Sequence, residues 1–203
     1  MFPLGSAVFP QQVIPLHVFE PRYREMMEHI TESENPEFGI VLIDRGHEVG
    51  GGDQRSNVGT RVRVLQTEQF DDGRWACVVA GIERIDVVEW LPDDPYPRAM
   101  VTTREVVDNG GSDLAQLEAD VIETITMITT AAGVDEGEVQ YQFSDDVLVR
   151  LDQLSAVAPV SDFDRQHVLE AGTTSEQMAV LSAAIANKQM LLRAQLGHGE
   201  EFG

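Results

Sequence analysis

Short apolar runs and alternating patterns fill the first half of the chain. Residues 38–43 form a continuous apolar run, which predicts a strand buried on both faces. Apolar and polar residues alternate over residues 58–64, which predicts a half-buried strand, and Asp-Asp-Gly at 71–73 is typical of a hairpin turn. Further strand patterns cover residues 75–82, 84–91 and 99–107. Many short strands with close turns predict a small β-barrel rather than a βαβ sheet.

The second half has a helical pattern. Over residues 112–196, apolar residues recur three and four positions apart, as they do on helices that bury one face. Gly133 and Pro159 end the first two of these patterns. Thr174 followed by Gln177 fits a capping box that begins the last helix. These patterns predict a helical bundle.

The change of periodicity near residue 107 divides the chain. Before it, only one helix is predicted, which starts at Pro21 and runs to about Glu32, because proline is tolerated in a first helical turn. We therefore expect an α+β protein. Its predicted parts are a β-barrel with one helix over residues 1–107, a helical bundle over 108–196 and a flexible tail over 197–203.

Charge limits the choice of partners. The 203 residues include 14 basic and 35 acidic side chains, a net charge of −21, which repels nucleic acid and anionic membranes. Residues 1–104 carry a net charge of −7, from 10 basic and 17 acidic side chains, and residues 105–203 carry −14, from 4 and 18. The acidic half is interpreted as a solvated face that keeps the protein soluble, the alternative being a docking face for a basic partner.

Several kinds of chemistry lack their residues. Lys188 is the only lysine and has no glycine-rich loop beside it, which excludes a P-loop ATPase site. Cys77 is the only cysteine, so neither an intrachain disulfide nor a cysteine-based zinc site is expected. The longest apolar run, residues 76–82, is too short to span a bilayer, and no charged signal-peptide region precedes Arg22. We expect a cytoplasmic protein.

The remaining motifs have structural explanations. His47-Glu48 lacks the second histidine of a zinc-binding helix. The glycines before Asp53 favour a hairpin loop, with anion binding as the alternative. Asp162 and Asp164 are interpreted as capping residues at a helix start. No catalytic, cofactor-binding or metal-binding residue is predicted, and no cofactor is expected.

Two segments are candidates for ligand contact. Residues 8–15 place apolar side chains between two prolines, a loop that no regular strand needs to bury entirely. The candidate peptide-binding residues there are Val8, Phe9, Val13 and Ile14, which otherwise close the end of the barrel. The second segment lies at the start of the first helix, where the side chains either grip a ligand carboxylate or pack on the barrel. Its candidates are Arg22, Tyr23 and Arg24.

The opening of the chain is similar to a known family. Residues 1–10, Met-Phe-Pro-Leu-Gly-Ser-Ala-Val-Phe-Pro, and the block Phe-Glu-Pro-Arg-Tyr-Arg at 19–24 resemble the start of the Lon protease N-terminal domain family. Later blocks appear in the family's order: residues 38–43, 58–60, 81–84, 95–99 and 164–166. The resemblance covers residues 1–196 and implies a PUA-like β-barrel followed by a helical bundle.

The resemblance also implies a function. In full-length Lon proteases this region recognises substrates, whereas the ATPase module and the Ser-Lys peptidase module follow it. We therefore expect a non-enzymatic module that binds unfolded or apolar protein segments, as an adaptor or holdase that works with a protease or chaperone. The alternatives are a nucleic-acid binder, because PUA-like barrels include RNA-binding domains, and a small-molecule sensor that uses the barrel mouth.

Overall fold

The chain folds into two compact units, Met1–Glu105 (unit 1) and Val106–Gly203 (unit 2). A computed structural model describes residues 1–45, 54–110, 114–134 and 141–199. These ranges contain one sheet and five helices, which confirms the mixed α+β class. None of the helices in them combines the length and apolar character that a membrane span requires.

Unit 1 is built on a six-stranded sheet. Its strands are β1 (Phe2–Leu4), β2 (Val13–Val18), β3 (Glu37–Arg45), β4 (Gln54–Gln69), β5 (Trp75–Leu91) and β6 (Arg98–Thr103). They pair in the order β1-β3-β4-β5-β2, and β6 pairs with another part of β5. The β1–β3 pair is parallel and the others are antiparallel.

The sheet is not closed by hydrogen bonding. The strands β1 and β2 stand at opposite ends of the pairing order, and among the described residues no ladder joins them. The predicted PUA-like β-barrel is therefore not confirmed. The sequence indicates where strands form, whereas closure depends on whether the two end strands approach within hydrogen-bonding distance, which periodicity does not encode.

One long strand replaces two predicted ones. The sequence predicts separate strand patterns over residues 75–82 and 84–91. Instead β5 runs without a break, because its ladder with β4 continues across Glu83, whose side chain also forms an ion pair with that of Arg61 at 2.9 Å. Arg61 pairs with Glu83 and Val62 with Gly81, so the register shifts by one residue here. Such a bulge bends the strand without ending it.

The helix α1 (Pro21–Thr31) packs on the sheet, and its predicted position is confirmed. Pro21 occupies the first turn, where its missing N–H removes no helical bond. Three and four positions apart, Tyr23, Met26 and Met27 form the buried face. The Tyr23 ring lies 4.6 Å from that of Phe2 on β1, so the helix covers the core near that end strand.

Unit 2 contains the other four helices. They are α2 (Ala115–Ala131), α3 (Val147–Val157), α4 (Asp162–Glu170) and α5 (Thr174–Gly199). Their buried apolar residues include Leu117, Val121, Leu151, Leu154, Leu181 and Ile185, from the predicted stripes. Gly133 follows α2 with a φ of 68°, the left-handed conformation that glycine adopts freely.

The helix caps agree with the sequence in one case and differ in another. Ser161 and Asp164 form a reciprocal capping box at α4, which confirms a capping role for that carboxylate. At α5 the Thr173 hydroxyl, rather than that of Thr174, accepts from the Glu176 N–H, at 3.3 Å. The predicted Thr174–Gln177 box is wrong by one residue.

The physical reason is that Thr174 is engaged elsewhere. Its hydroxyl lies 3.1 Å from Asp108 Oδ1 and 3.0 Å from Asn109 Oδ1, both within unit 2. The adjacent Val107 forms a bridge with Thr173, so β6 ends at Thr103 and not at the predicted residue 107. At the other end, α5 continues through residues 197–199 of the predicted tail, and residues 200–203 lie outside the described ranges.

Candidate functional site

The segment at residues 8–14 is anchored to the sheet. Gln11 has a φ of 65°, and the Gln12 N–H donates to the Phe9 carbonyl at 3.2 Å, so the chain reverses here. The Gln11 N–H donates to Gly81 at 3.0 Å and the Gly81 N–H donates to Gln12 at 2.9 Å. A side chain at position 81 would collide with the Phe9 carbonyl, so glycine permits this close approach.

This anchoring separates the four candidate peptide-binding residues. Val8 and Phe9 are buried, 3% and 0% exposed, so neither offers surface to a ligand in this conformation. Ile14 is partly buried against the core of unit 1. Val13 is 57% exposed and is the one member of the set that a ligand can reach directly. The two deeply buried side chains close the core, which is the structural alternative stated above.

The second candidate set is mostly structural. Tyr23 is buried in the core of unit 1. Arg22 forms an ion pair with Glu20 at 3.2 Å and lies over the Tyr23 ring, 4.5 Å from its centroid. The Arg24 guanidinium lies against Gly73 in the turn between β4 and β5. The arginines thus hold the start of α1 and the hairpin turn.

A groove lies between the two end strands of the sheet. We call it the seam groove; it has a volume of about 220 Å³. The residues that line it are Phe2, Pro3 and Leu4 of β1, Pro15, Leu16, His17 and Val18 of β2, and Phe19, Glu20 and Tyr23 at the start of α1. Although no ladder joins β1 and β2 among the described residues, both strands border the same opening.

The seam groove is predominantly apolar, and one aromatic side chain is accessible at it. Phe19 is 52% exposed. The sequence interpretation missed it, although its position two residues before the Pro21 of α1 indicates an entry residue that need not be buried. The carboxylate in the lining belongs to Glu20, which is paired with Arg22. The groove therefore presents apolar contacts and a compensated charge.

A second, shallower depression follows the outer face of β2, β5 and β4. It measures about 440 Å³ and is lined by Pro15, Leu16, His17, Gln66, Thr67, Glu68, Ala76, Cys77 and Val78. Pro15 and His17 are exposed. The strand β2 is thus bordered by an opening at its edge and by another on its outer face.

The described residues offer little reactive chemistry. They contain no group of three or more His, Cys, Asp or Glu side chains placed to hold a metal ion. Cys77 is 3% exposed, and burial raises the pKa of its thiol to about 11, so it is protonated and unreactive at neutral pH. His47 and the 50–53 glycine segment lie outside the described residues.

Acidic side chains of unit 2 form local ion pairs. Glu118 on α2 pairs with Arg150 on α3, and Glu123 on α2 pairs with Arg193 on α5 at 3.3 Å. These are contacts between neighbouring helices. At two other helix starts, Asp146 caps α3 and Asp164 takes part in the capping box of α4.

Comparison with known proteins identifies the family. The model of the ATP-dependent protease La (LON) substrate-binding domain matches residues 1–186. The chain belongs to this Lon substrate-binding domain family. The match includes both units, and it agrees with the resemblance seen in the opening motifs. Within the family motif Phe-Glu-Pro-Arg-Tyr-Arg, the structure gives Glu20, Arg22 and Tyr23 a shared role at the start of α1.

Curated relatives of the Lon family chain are much longer. It is 23% identical over 191 residues to Lon protease 2 of Herpetosiphon aurantiacus, covering 91% of this chain and 23% of that protein. It is 25% identical over 203 residues to Lon protease of Anaeromyxobacter dehalogenans, covering 95% of this chain and 23% of that protein. The chain thus spans about a quarter of the length of these relatives.

Solved structures show the same fold. The Lon N-terminal domain protein from Xanthomonas campestris matches with a TM-score of 0.62 and 21% identity, covering 90% of this chain and 95% of that one. The N-terminal domain of Mycobacterium avium complex Lon protease matches with a TM-score of 0.54 and 18% identity, covering 91% and 96%. The arrangement of sheet and helices is therefore that of Lon N-terminal domains.

Proposed function

We propose that this chain is a non-enzymatic recognition module that holds unfolded segments of other proteins. It acts as an adaptor that presents clients to a protease or chaperone, or as a holdase that keeps them from aggregating. Membership of a substrate-binding domain family supports this role, as does an overall fold like that of Lon N-terminal domains. The expected location is the cytoplasm, which a single buried thiol suits.

The observation that carries the proposal is the seam groove. Unfolded chains differ from folded ones in exposing apolar side chains and extended backbone. The groove offers apolar walls with an accessible Phe19 at its side and the exposed Val13 on the adjoining strand. The net charge of −21 disfavours nucleic acid, so an uncharged or basic polypeptide segment is the expected ligand. We regard the open-seamed sheet as a PUA-like barrel whose seam is the binding site.

The test compares two exposed phenylalanines. Fluorescently labelled ribonuclease A, reduced and carboxamidomethylated so that it stays unfolded, is titrated with the full chain while its anisotropy is recorded. We expect Phe19→Ser to weaken binding about tenfold and Phe163→Ser, a matched substitution on α4 in unit 2, to leave it unchanged. Phe19 is 52% exposed and Phe163 is 61% exposed, so both variants should fold.

Salt distinguishes apolar capture from charge attraction. Ribonuclease A is basic, so attraction to the acidic chain would fade as the Debye length falls from about 10 Å at 0.1 M salt to about 3 Å at 1 M. Binding through the groove should survive at 1 M. Affinity lost with salt, or equal effects of the two substitutions, would contradict the proposal, as would ATP or casein hydrolysis that a substitution in this chain abolishes.

A further inference from the structure

We propose that the outward edge of β2 captures its ligand by strand addition, so that the backbone of an extended polypeptide is recognised. This inference rests on the proposed function and specifies how the ligand is read. The ligand lies along β2 beside the seam groove, and its alternate residues hydrogen-bond to the edge. Recognition of this kind requires an extended, unfolded chain and tolerates many sequences.

The pairing of β2 with β5 fixes which backbone groups point outward. In an antiparallel ladder, residues that exchange hydrogen bonds alternate with residues that do not. The Gly81 N–H on β5 donates to the Gln12 carbonyl at 2.9 Å, and the register then runs without a shift from Val13 opposite Ala80 to Val18 opposite Trp75. Counting in twos from Gln12, the residues bonded to β5 are Ile14, Leu16 and Val18. The residues whose N–H and C=O groups face away are Val13, Pro15 and His17.

No described ladder engages those outward groups, since β5 is the only described strand that pairs with β2. The residues that carry them, Val13, Pro15 and His17, are exposed. The edge presents two N–H donors, at Val13 and His17, and three carbonyl acceptors. Pro15 has no N–H, and this parity places it where no ladder bond to β5 is lost, as expected for a proline in an edge strand.

The groove complements the edge. Side chains of an added strand alternate between the two faces of the sheet, like those of β2 itself, where Leu16 and Val18 are buried and His17 is exposed. The seam groove beside the edge offers the partly buried Leu4 and the exposed Phe19 as apolar contacts, with the buried Phe2 among its lining residues. Every second side chain of the ligand therefore meets apolar surface, while its backbone pairs with β2.

A second copy of this chain is a poorer occupant. An edge strand can pair with its own copy, but two chains of charge −21 repel each other. Residues 1–105 alone carry 10 basic and 18 acidic side chains, a net charge of −8. A neutral or basic extended segment is not repelled by the acidic chain.

Backbone methylation of a peptide tests directly whether the ligand binds by strand addition to β2. The probe is a capped nine-residue peptide in which valine and threonine alternate between terminal lysines, labelled for anisotropy and added to the full chain. We expect N-methylation at one set of alternate residues to weaken binding at least tenfold, because it removes a hydrogen bond and adds bulk at the edge. Methylation at the other set should change affinity less than threefold.

Substitutions on β2 provide the complementary test. His17→Pro removes one outward N–H without removing a bond to β5 and should weaken peptide binding about three- to tenfold, whereas His17→Thr should not. Pro15→Thr adds an outward N–H and should strengthen it by a similar factor. Circular dichroism checks whether the variants fold. If His17→Pro does not fold, hydrogen exchange of the wild-type amides, with and without peptide, tests strand addition instead. Peptide should protect the Val13 and His17 amides and leave those of Leu16 and Val18 unchanged.

The outcomes separate this inference from the function beneath it. Suppose that unfolded ribonuclease A binds at the groove, but that N-methylation does not change peptide affinity or the peptide does not bind. Strand addition is then overturned and the proposed function stands. Failure of both probes to bind overturns the proposed function as well. Sedimentation that shows a dimer through β2, which peptide does not disperse, would assign the edge to a second copy and also overturn the inference.

Discussion

The two units leave different kinds of surface open. Unit 1 ends its sheet at β1 and β2, and both end strands border an apolar groove. Unit 2 consists of helices, whose backbone groups bond within each helix, and the side chains of Asp146, Ser161 and Thr173 cap the starts of α3, α4 and α5. An open sheet can recognise a polypeptide by its backbone, whereas a capped helix offers only side chains.

Charge sharpens the same contrast. Residues 106–203 carry 4 basic and 17 acidic side chains, a net charge of −13, against −8 for residues 1–105. Interhelical pairs such as Glu118–Arg150 engage some of the acidic side chains of unit 2. In the proposed function, unit 1 captures the ligand and the acidic helices of unit 2 have a structural and solubilising role.

The largest expected effect separates core from surface within unit 1. Phe9→Ala should lower the free energy of unfolding by about 3–5 kcal/mol, because the side chain is fully buried and its removal leaves a cavity. Val13→Ala, in the same segment but exposed, should change it by less than about 0.5 kcal/mol. Urea denaturation followed by circular dichroism measures both. Equal losses would show that residues 8–13 are not anchored as described.

A smaller effect tests the close approach at Gly81. Gly81→Ala should lower the free energy of unfolding by about 1–3 kcal/mol, since a Cβ there meets the Phe9 carbonyl. In unit 2, Gly172→Ala meets only a carboxylate oxygen of Glu176 at 3.7 Å and should be neutral or slightly stabilising. Thermal unfolding of the two variants decides; a neutral Gly81→Ala would contradict the anchoring of the segment.

Loss of the N-cap of α4 in unit 2 should lower the free energy of unfolding by about 1 kcal/mol. Ser161→Ala removes the oxygen that accepts from the Asp164 N–H at 3.1 Å, and an N-cap substitution of this kind typically has that cost. Ser182→Ala, at an exposed position within α5, is the control and should be neutral or slightly stabilising. Peptide binding should be unaffected by either substitution. A change of affinity in Ser161→Ala would show that unit 2 takes part in recognition.

The effect that is smallest at neutral pH is the ionisation of Cys77, which appears only in alkaline solution. The pKa of the Cys77 thiol is raised from 9.0 to about 11 in the folded protein because burial disfavours the thiolate. The folded state thus binds this proton more tightly than the unfolded state, so its contribution to stability is full below pH 9 and declines as pH rises toward 11. Urea denaturation of wild type and Cys77→Ala across this pH range isolates the contribution of the thiol to the free energy of unfolding. If that free energy declined identically in both proteins, the raised pKa of Cys77 would be contradicted.

Much of the fold follows from periodicity. The starts of α1 and α4 were predicted closely, because Pro21 and the carboxylates of Asp162 and Asp164 are local signals of a helix start. The prediction from local pattern failed where distant residues decide. The continuity of β5 depends on its ladder with β4, and the cap of α5 shifted because Thr174 bonds to Asp108.

The candidate site was harder to predict. Val13 is exposed, but Val8 and Phe9 are buried, since a loop between two prolines looks equally apolar whether it faces solvent or core. The seam groove joins residues 2–4 to residues 15–20 through strands that do not pair with each other. No spacing in the sequence predicts that these two segments lie close together. Which N–H groups of β2 point outward depends on its register with β5, which the sequence does not show either.

Photo-crosslinking tests the central claim most directly. Full-length chains carrying p-benzoylphenylalanine in place of Phe19 or of Phe163 are irradiated with unfolded ribonuclease A, and the cross-linked species are mapped by mass spectrometry. Capture at the seam groove predicts strong cross-links from position 19, none above background from position 163, and competition by the unmethylated peptide. Equal cross-linking from both positions, or cross-links from position 163 alone, would contradict the claim that unit 1 holds the client.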